Sequence, residues 1–307
     1  MNVYVLGPPP LTLIDAGPKD ERSLEALERR LSDLGFGVSD IGTVVLTHQH
    51  FDHVGLAATV QARSGARVLA YEGLRTVLPQ GSGWWEQDND FAARIMLGFG
   101  IDAAKVERLR ALTRDRLRYA DPVEIDHGLV DGDRVELGAH TFFVRHRPGH
   151  SPSDIVLVDE ESRTAIGGDH LLGAISSNPI IHLPLDGRVP AQLPRALDTY
   201  RRSLESTAAD DLALVYTGHG RPIRDHRALI AARLAEQDER SERVLALIRD
   251  GRRTLQELID GIWPNLWESH TFLACSEVLG HAELLTTAGV IAITDDNDNR
   301  FEPVAAS

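Results

Sequence analysis

VVLTHQHFDHVG, residues 44–55, sets an apolar run directly against a polar cluster. Val44–Leu46 have the β-branched and aliphatic character of a buried strand, and His48, His50, Asp52 and His53 crowd its exit. One or two histidines in a turn need no explanation. Four imidazole or carboxylate groups at this spacing point to a shared task, and the rest of the chain indicates which.

Working outward, NVYVLG, PPP and LTLIDAG read as two strands around a proline turn. DERSLEALERRLSDLG follows as a helix, with Leu24, Leu27 and Leu31 on one face and Gly35 as its stop. VVLTH is a strand, VGLAATVQARSG a helix and ARVLAYEG a strand, so the first eighty or so residues have an α/β layer pattern. Residues 79–120 interrupt it with a helical insert carrying Trp84, Trp85, Phe91, Met96 and Phe99. A second β block then runs through DRVELGAHTFFVRHRPGH and DIVLVDEESRTAIGGDH, followed by the helix PRALDTYRRSLEST and the strand LALVYTGHG. The expected division is a catalytic domain over 1–225 and a linking helix with a small module over 226–307.

Polar residues recur at one kind of place. His48 to His53, His150, Asp169 and His219 all fall just beyond the C-terminal end of an expected strand, the edge where layered α/β folds gather ligands. Imidazole and carboxylate donors without thiolate suit zinc, with iron or manganese as alternatives. Seven donors are too many for one tetrahedral ion and suit two ions sharing a carboxylate.

THQHFDH, PGHSPSD, GGDH and TGHG, with LIDAG near the start, match in order the motifs of the metallo-β-lactamase-fold hydrolases. The chain resembles that family over about residues 2–225, and the likeness implies an αββα sandwich. It further implies that His48, His50 and His150 hold a first metal, that Asp52, His53 and His219 hold a second, and that Asp169 bridges them. Asp15 becomes an orienting group behind the ligands. Hydrolysis by a metal-bound hydroxide follows, with Asp52 both ligating and orienting it. A serine-based triad is not needed, because His150, as a ligand, could not serve Ser151 as a base.

The pattern looks more like the glyoxalase II, lactonase and nuclease branches than the β-lactamases, which keep different ligands at the second site. Three activities are therefore weighed: hydrolysis of a small thioester, ester or lactone; RNA cleavage; and diiron redox chemistry. The last lacks a flavodoxin-like glycine pattern. The second needs a basic path for the strand, yet the net charge is −14. That charge also argues against a general attraction to anionic membranes. A small acyl substrate is the reading retained, although the basic residues by which glyoxalase II holds glutathione carboxylates find no match here.

Other residues carry weaker expectations. His170 should point away from the metals by strand alternation. His182 in NPIIHLP could meet substrate, and Trp84 and Trp85 could wall its pocket. His127, His140, His146, His226, His270 and His281 read as surface or satisfied core residues. The one cysteine, Cys275, excludes a disulfide framework and reads as buried filler. The N-terminal residues have no basic n-region or long apolar core, and no membrane span is expected, so the protein is read as cytoplasmic. Residues 254–307 resemble a winged helix, but hold one basic residue, Arg300, against nine acidic ones. TDDNDN, residues 294–299, sits where a wing would meet phosphates. The module is therefore expected to cover one side of the pocket or to form a homodimer contact, and not to bind nucleic acid.

Overall fold

The computed structural model describes residues 1–294 and 299–304. In chain order the elements are β1 (Tyr4–Leu6), β2 (Leu11–Ile14), α1 (Glu21–Asp33), β3 (Ile41–Leu46), α2 (Phe51–Val54), α3 (Ala57–Ser64) and β4 (Arg67–Tyr71). The insert supplies α4 (Ser82–Gly98) and α5 (Ala103–Arg116). There follow β5 (His127–Leu129), β6 (Arg134–Leu137), β7 (His140–His146), β8 (Ile155–Asp159), β9 (Thr164–Ile166), α6 (Ala196–Ala209) and β10 (Leu214–Tyr216). The chain continues through α7 (His226–Arg249), α8 (Leu255–Ile262), α9 (Thr271–Thr287), β11 (Ile291–Ile293) and β12 (Phe301–Pro303).

Among the described residues the strands form two five-stranded sheets, ordered β1-β2-β3-β4-β5 and β10-β9-β8-β7-β6, and one small hairpin, β11-β12. Strand periodicity explains how the sheets stack. On β3, Val45 points into a core shared with Leu137, Phe142, Val144, Ile155 and Leu157 of the second sheet. Its neighbours Val44 and Leu46 point the other way, into a core built with α1, α3, α4, α8 and α9. On β8, Ile155 and Leu157 face the first sheet, while Val156 and Val158 pack with Tyr200 and Leu204 of α6 and Ile230 of α7. A strand apolar on both faces must be covered on both. The result is an αββα sandwich, as the family resemblance implied. Each such side chain contributes about 1.5–3 kcal/mol by leaving water.

Local signals set the helix ends. The side chains of Asp20, Asp102 and Asp225 accept hydrogen bonds from the first-turn amides of Ser23, Lys105 and Ala228. Thr254 and Glu257 form a reciprocal capping box at the start of α8.

Two points were not foreseen in full. The strand His127–Leu129 was not expected, and it pairs in parallel with β4 as the edge of the first sheet. A three-residue segment containing Gly128 has too little periodicity to register as a strand. The wing expected within TDDNDN falls, for residues 295–298, outside the described residues. Among the described residues no helix is long and apolar enough to cross a membrane. Cys275 is fully buried in α9, where burial pushes its thiol up to about 12.

Candidate metal centre

The loops leaving β3, β7, β9 and β10 converge at one edge of the sandwich, and backbone hydrogen bonds fix them to each other. Ile155 N donates to Thr47 O at 2.9 Å, Asp15 N to Val45 O at 2.8 Å and Ala16 N to His53 O at 2.8 Å. Gly218 is held tightly among the expected ligands. A Cβ built there would lie 2.2 Å from Asp169 Oδ1 and 2.7 Å from His53 Cε1, so only glycine leaves room for both.

All seven residues expected as ligands meet here. His48 Nε2 lies 3.0 Å from His50 Nδ1, and His150 Nε2 lies 3.1 Å from the same atom. In the other half, His219 Nε2 is 3.2 Å and His53 Nε2 3.7 Å from Asp52 Oδ2. Asp169 spans both halves: Oδ1 is 3.4 Å from His53 Nε2, while Oδ2 is 3.4 Å from His219 Nε2 and 3.7 Å from His150 Nε2.

The hydrogen bonds behind the rings determine which nitrogens carry protons. Asp15 Oδ2 accepts from Thr47 Oγ1 at 2.9 Å, which leaves that hydroxyl to accept from His48 Nδ1 at 3.1 Å. The carbonyl of Asn178 can only accept, so His150 Nδ1, 3.1 Å away, donates. His53 Nδ1 donates to Asp15 Oδ2 at 2.8 Å. His182 Nδ1 donates to Asp88 Oδ2 at 2.8 Å, and its Nε2 then accepts from His50 Nε2 at 3.2 Å. Each neutral ring thus spends its one proton outward and turns a bare lone pair inward.

Lone pairs facing one another at 3.0–3.1 Å repel unless a cation lies among them. A tetrahedral ion with donors at 2.0–2.1 Å needs donor–donor edges of about 3.3 Å, and the separations here bracket that value. His53 Nε2 and Asp169 Oδ1 are buried without a hydrogen-bond partner. The triads His48–His50–His150, His48–His53–Asp169 and Asp52–His53–His219 could each hold an ion. The cluster is suited to metal binding.

The sequence profile of the metallo-beta-lactamase superfamily matches residues 2–219. The chain belongs to the metallo-beta-lactamase superfamily. It is 32% identical over 285 residues to the probable metallo-hydrolase YqjP of Bacillus subtilis (strain 168), covering 92% of this chain and 86% of that one. It is 29% identical over 234 residues to a hydroxyacylglutathione hydrolase of Methylobacterium sp. (strain 4-46), covering 74% and 67%. A metallo-beta-lactamase family protein of Thermus thermophilus superposes with a TM-score of 0.81 at 27% identity, covering 99% of this chain and 93% of that one. The protein is a metallo-hydrolase of this superfamily.

Electrostatics divide the superfamily's cluster in two. Burial and mutual repulsion hold His48 and His50 well below the ordinary imidazole range, and burial pushes His150 down to about 4. On the other side, hydrogen bonds to Asp169 and Asp52 push His219 up to about 9. Burial alone would lower His53, but Asp15 and Asp169 outweigh it and raise this ring well above its usual value. Burial would likewise raise Asp52, yet the His219 hydrogen bond and nearby imidazoles bring it down to about 2.

Two other groups expected near the site sit differently from each other. Trp85 lines a cavity of about 200 Å³ beside His50, with Asp88, Met96, Leu109, Phe272 and His182. Trp84, 1% exposed, packs in the core behind it, its ring centroid 6.3 Å from that of His182. The expectation that both tryptophans wall the pocket is corrected for Trp84, because adjacent helical residues point about 100° apart. His182 does line the cavity, but with both nitrogens engaged.

His170 turns away as expected, its Nε2 2.9 Å from Thr207 Oγ1 on α6. His146 stacks on Tyr71 at 4.1 Å, and His140 and His281 meet Asp159 and Ser241, each at 2.8 Å. Sequence reasoning missed Thr47 and Asp88. Thr47 stands beside His48 and could have been suspected as its partner. Asp88 is one of several acidic residues on an ordinary helix, and only the packing of α4 against the His182 loop brings it to the site.

Proposed function

We propose that this protein is a dinuclear hydrolase of a small acyl substrate, a thioester, ester or lactone. His48, His50 and His150 would hold one ion, Asp52, His53 and His219 the other, and Asp169 would touch both. The convergence of inward lone pairs with a spanning carboxylate is the observation that carries this reading. Zinc suits such a nitrogen and oxygen donor set, with iron or manganese as chemical alternatives. Bound there, the ions would acidify a water and polarise the scissile carbonyl.

In the reaction the water oxygen bonds the carbonyl carbon and the bond to the leaving oxygen or sulfur breaks. One of the water's protons ends on the leaving atom and the other passes to solvent, giving a carboxylate and an alcohol or thiol. Asp52, ionised at neutral pH and the most exposed of the site's carboxylates at 29%, orients the water by accepting its O–H. Asp15 fixes the His53 ring, and Asp88 through His182 fixes His50. The similarity to a hydroxyacylglutathione hydrolase supports an acyl substrate. The net charge of −14 weighs against a nucleic acid.

The C-terminal segment contributes Ser269, Phe272 and Leu273 to the cavity wall, which supports its role as a cover over the substrate. The experiment is elemental analysis of the purified protein with turnover of thioester, lactone and bis-phosphodiester substrates. Two ions per chain and acyl turnover are expected. One ion or none in active, unchelated protein, or cleavage of the phosphodiester alone, would defeat the proposal.

A further inference from the structure

The cavity beside His50 bears on which acyl group is cleaved, an inference that rests on the hydrolase reading above. It lies between α4, α5 and the start of α9, and His50 and His182 at its end join it to the metal-binding edge. Its walls are mainly apolar, built from Trp85, Ala92, Met96 and Phe272, with the polar side chains of Asn89, Thr113 and Ser269 among them. Asp88 also lines it, with Oδ2 accepting from His182 Nδ1 and Oδ1 from Leu183 N. Arg116 stands exposed at the end of α5, where its aliphatic stem can extend the wall while its charge stays in water.

Such a chamber, walled mostly by carbon, favours an apolar chain, which leaves water there at little cost in lost hydrogen bonds. Its size sets a limit. An apolar cavity of about 150 Å³ holds benzene, so one of this size accommodates about eight non-hydrogen atoms. We propose that the acyl group cleaved by this enzyme is apolar, with six to eight carbons lying in this cavity and the carbonyl at the His50 end.

The test has two arms. The purified, metal-loaded protein is assayed with p-nitrophenyl esters from acetate to decanoate. kcat/KM should climb up to about fourfold per methylene, mainly through KM, reach its maximum at six to eight carbons, and then fall. Chelator-stripped protein is titrated with primary alcohols from butanol to octanol, read by tryptophan fluorescence, and affinity should rise with the same gradient. Ala92→Leu, which fills part of the cavity, should move both optima to chains about two carbons shorter. Met96→Phe is a second filling variant should the first fail to fold. Turnover that is flat in chain length, with no gradient among the alcohols, would overturn the cavity assignment and leave the hydrolase reading standing. A gradient among the alcohols without turnover of any ester or thioester would overturn the hydrolase reading, and the acyl assignment with it.

Discussion

His48, His50 and His150 form one half of the cluster, made of bare imidazoles, whereas Asp52, His53 and His219 form another in which two rings sit among carboxylates. The first is poor in protons: burial and like neighbours keep its rings neutral, with His150 at about 4. The second is rich in them: Asp52 and Asp169 draw His219 up to about 9. Both halves are suited to a cation, each in a different way. In the first, lone pairs face each other; in the second, protons occupy positions a metal ion would take. On the proposed reading two ions there need not be bound alike, and Asp169, reaching both halves, would couple them.

The largest effect should come from that coupling. Asp169→Asn is expected to empty both halves and lower kcat/KM by about three orders of magnitude. His50→Ala should deplete mainly the first half, with a loss of about a hundredfold or more. Elemental analysis of the two variants beside the parent checks this, and equal depletion of both halves by His50→Ala would dissolve the distinction.

A smaller effect is expected from the orienting carboxylates, one behind each half. Asp15→Asn weakens the support of His53, and Asp88→Asn weakens that of His182 and hence His50. Each should reduce metal affinity by about 10–100-fold. Competition with a chromogenic chelator would show a loss in one class of site for each variant. Loss in the same class from both would mean that Asp88 does not act through His50.

The smallest effect is in the pH dependence of the metal-free protein. Between about 4 and 6.5 the folded His150 binds fewer protons than the unfolded chain, so stability rises with pH. Between 6.5 and about 9 the folded His219 binds more, so stability falls with pH. Chelator-treated protein should therefore have its highest thermal midpoint near pH 6.5 as far as these groups decide it, falling by a few degrees on either side. His150→Gln should flatten the acid limb and His219→Gln the alkaline limb. A midpoint rising steadily to pH 9 would contradict the proton-rich character of the second half.

Much of this was legible in the residues themselves. Continuously apolar strands such as VVL and IVLV must be covered on both faces, which calls for a layered α/β fold, and the motif resemblance narrowed that to an αββα sandwich. The spacing of His48, His50, Asp52 and His53 is a local matter, and so is their position after a strand. Other features depend on contacts between distant segments. His127–Leu129 becomes a strand only because β4 offers it an edge. Trp84 and Trp85 have equal standing in the sequence, yet helix rotation sends one into the core and the other to the cavity.

The same division holds at the metal centre. Residue chemistry determined that this chain carries nitrogen and oxygen donors, no thiolate ligand pair, and donors positioned at successive strand ends. Tertiary structure alone decided that Asp88 on α4 would meet His182 from a loop ninety-four residues away, and that His182 would in turn bear on His50. A sequence records which groups can donate, accept or ligate. Their protonation and direction depend on what folding places behind them, and those partners come from chain segments whose separation the local pattern does not encode.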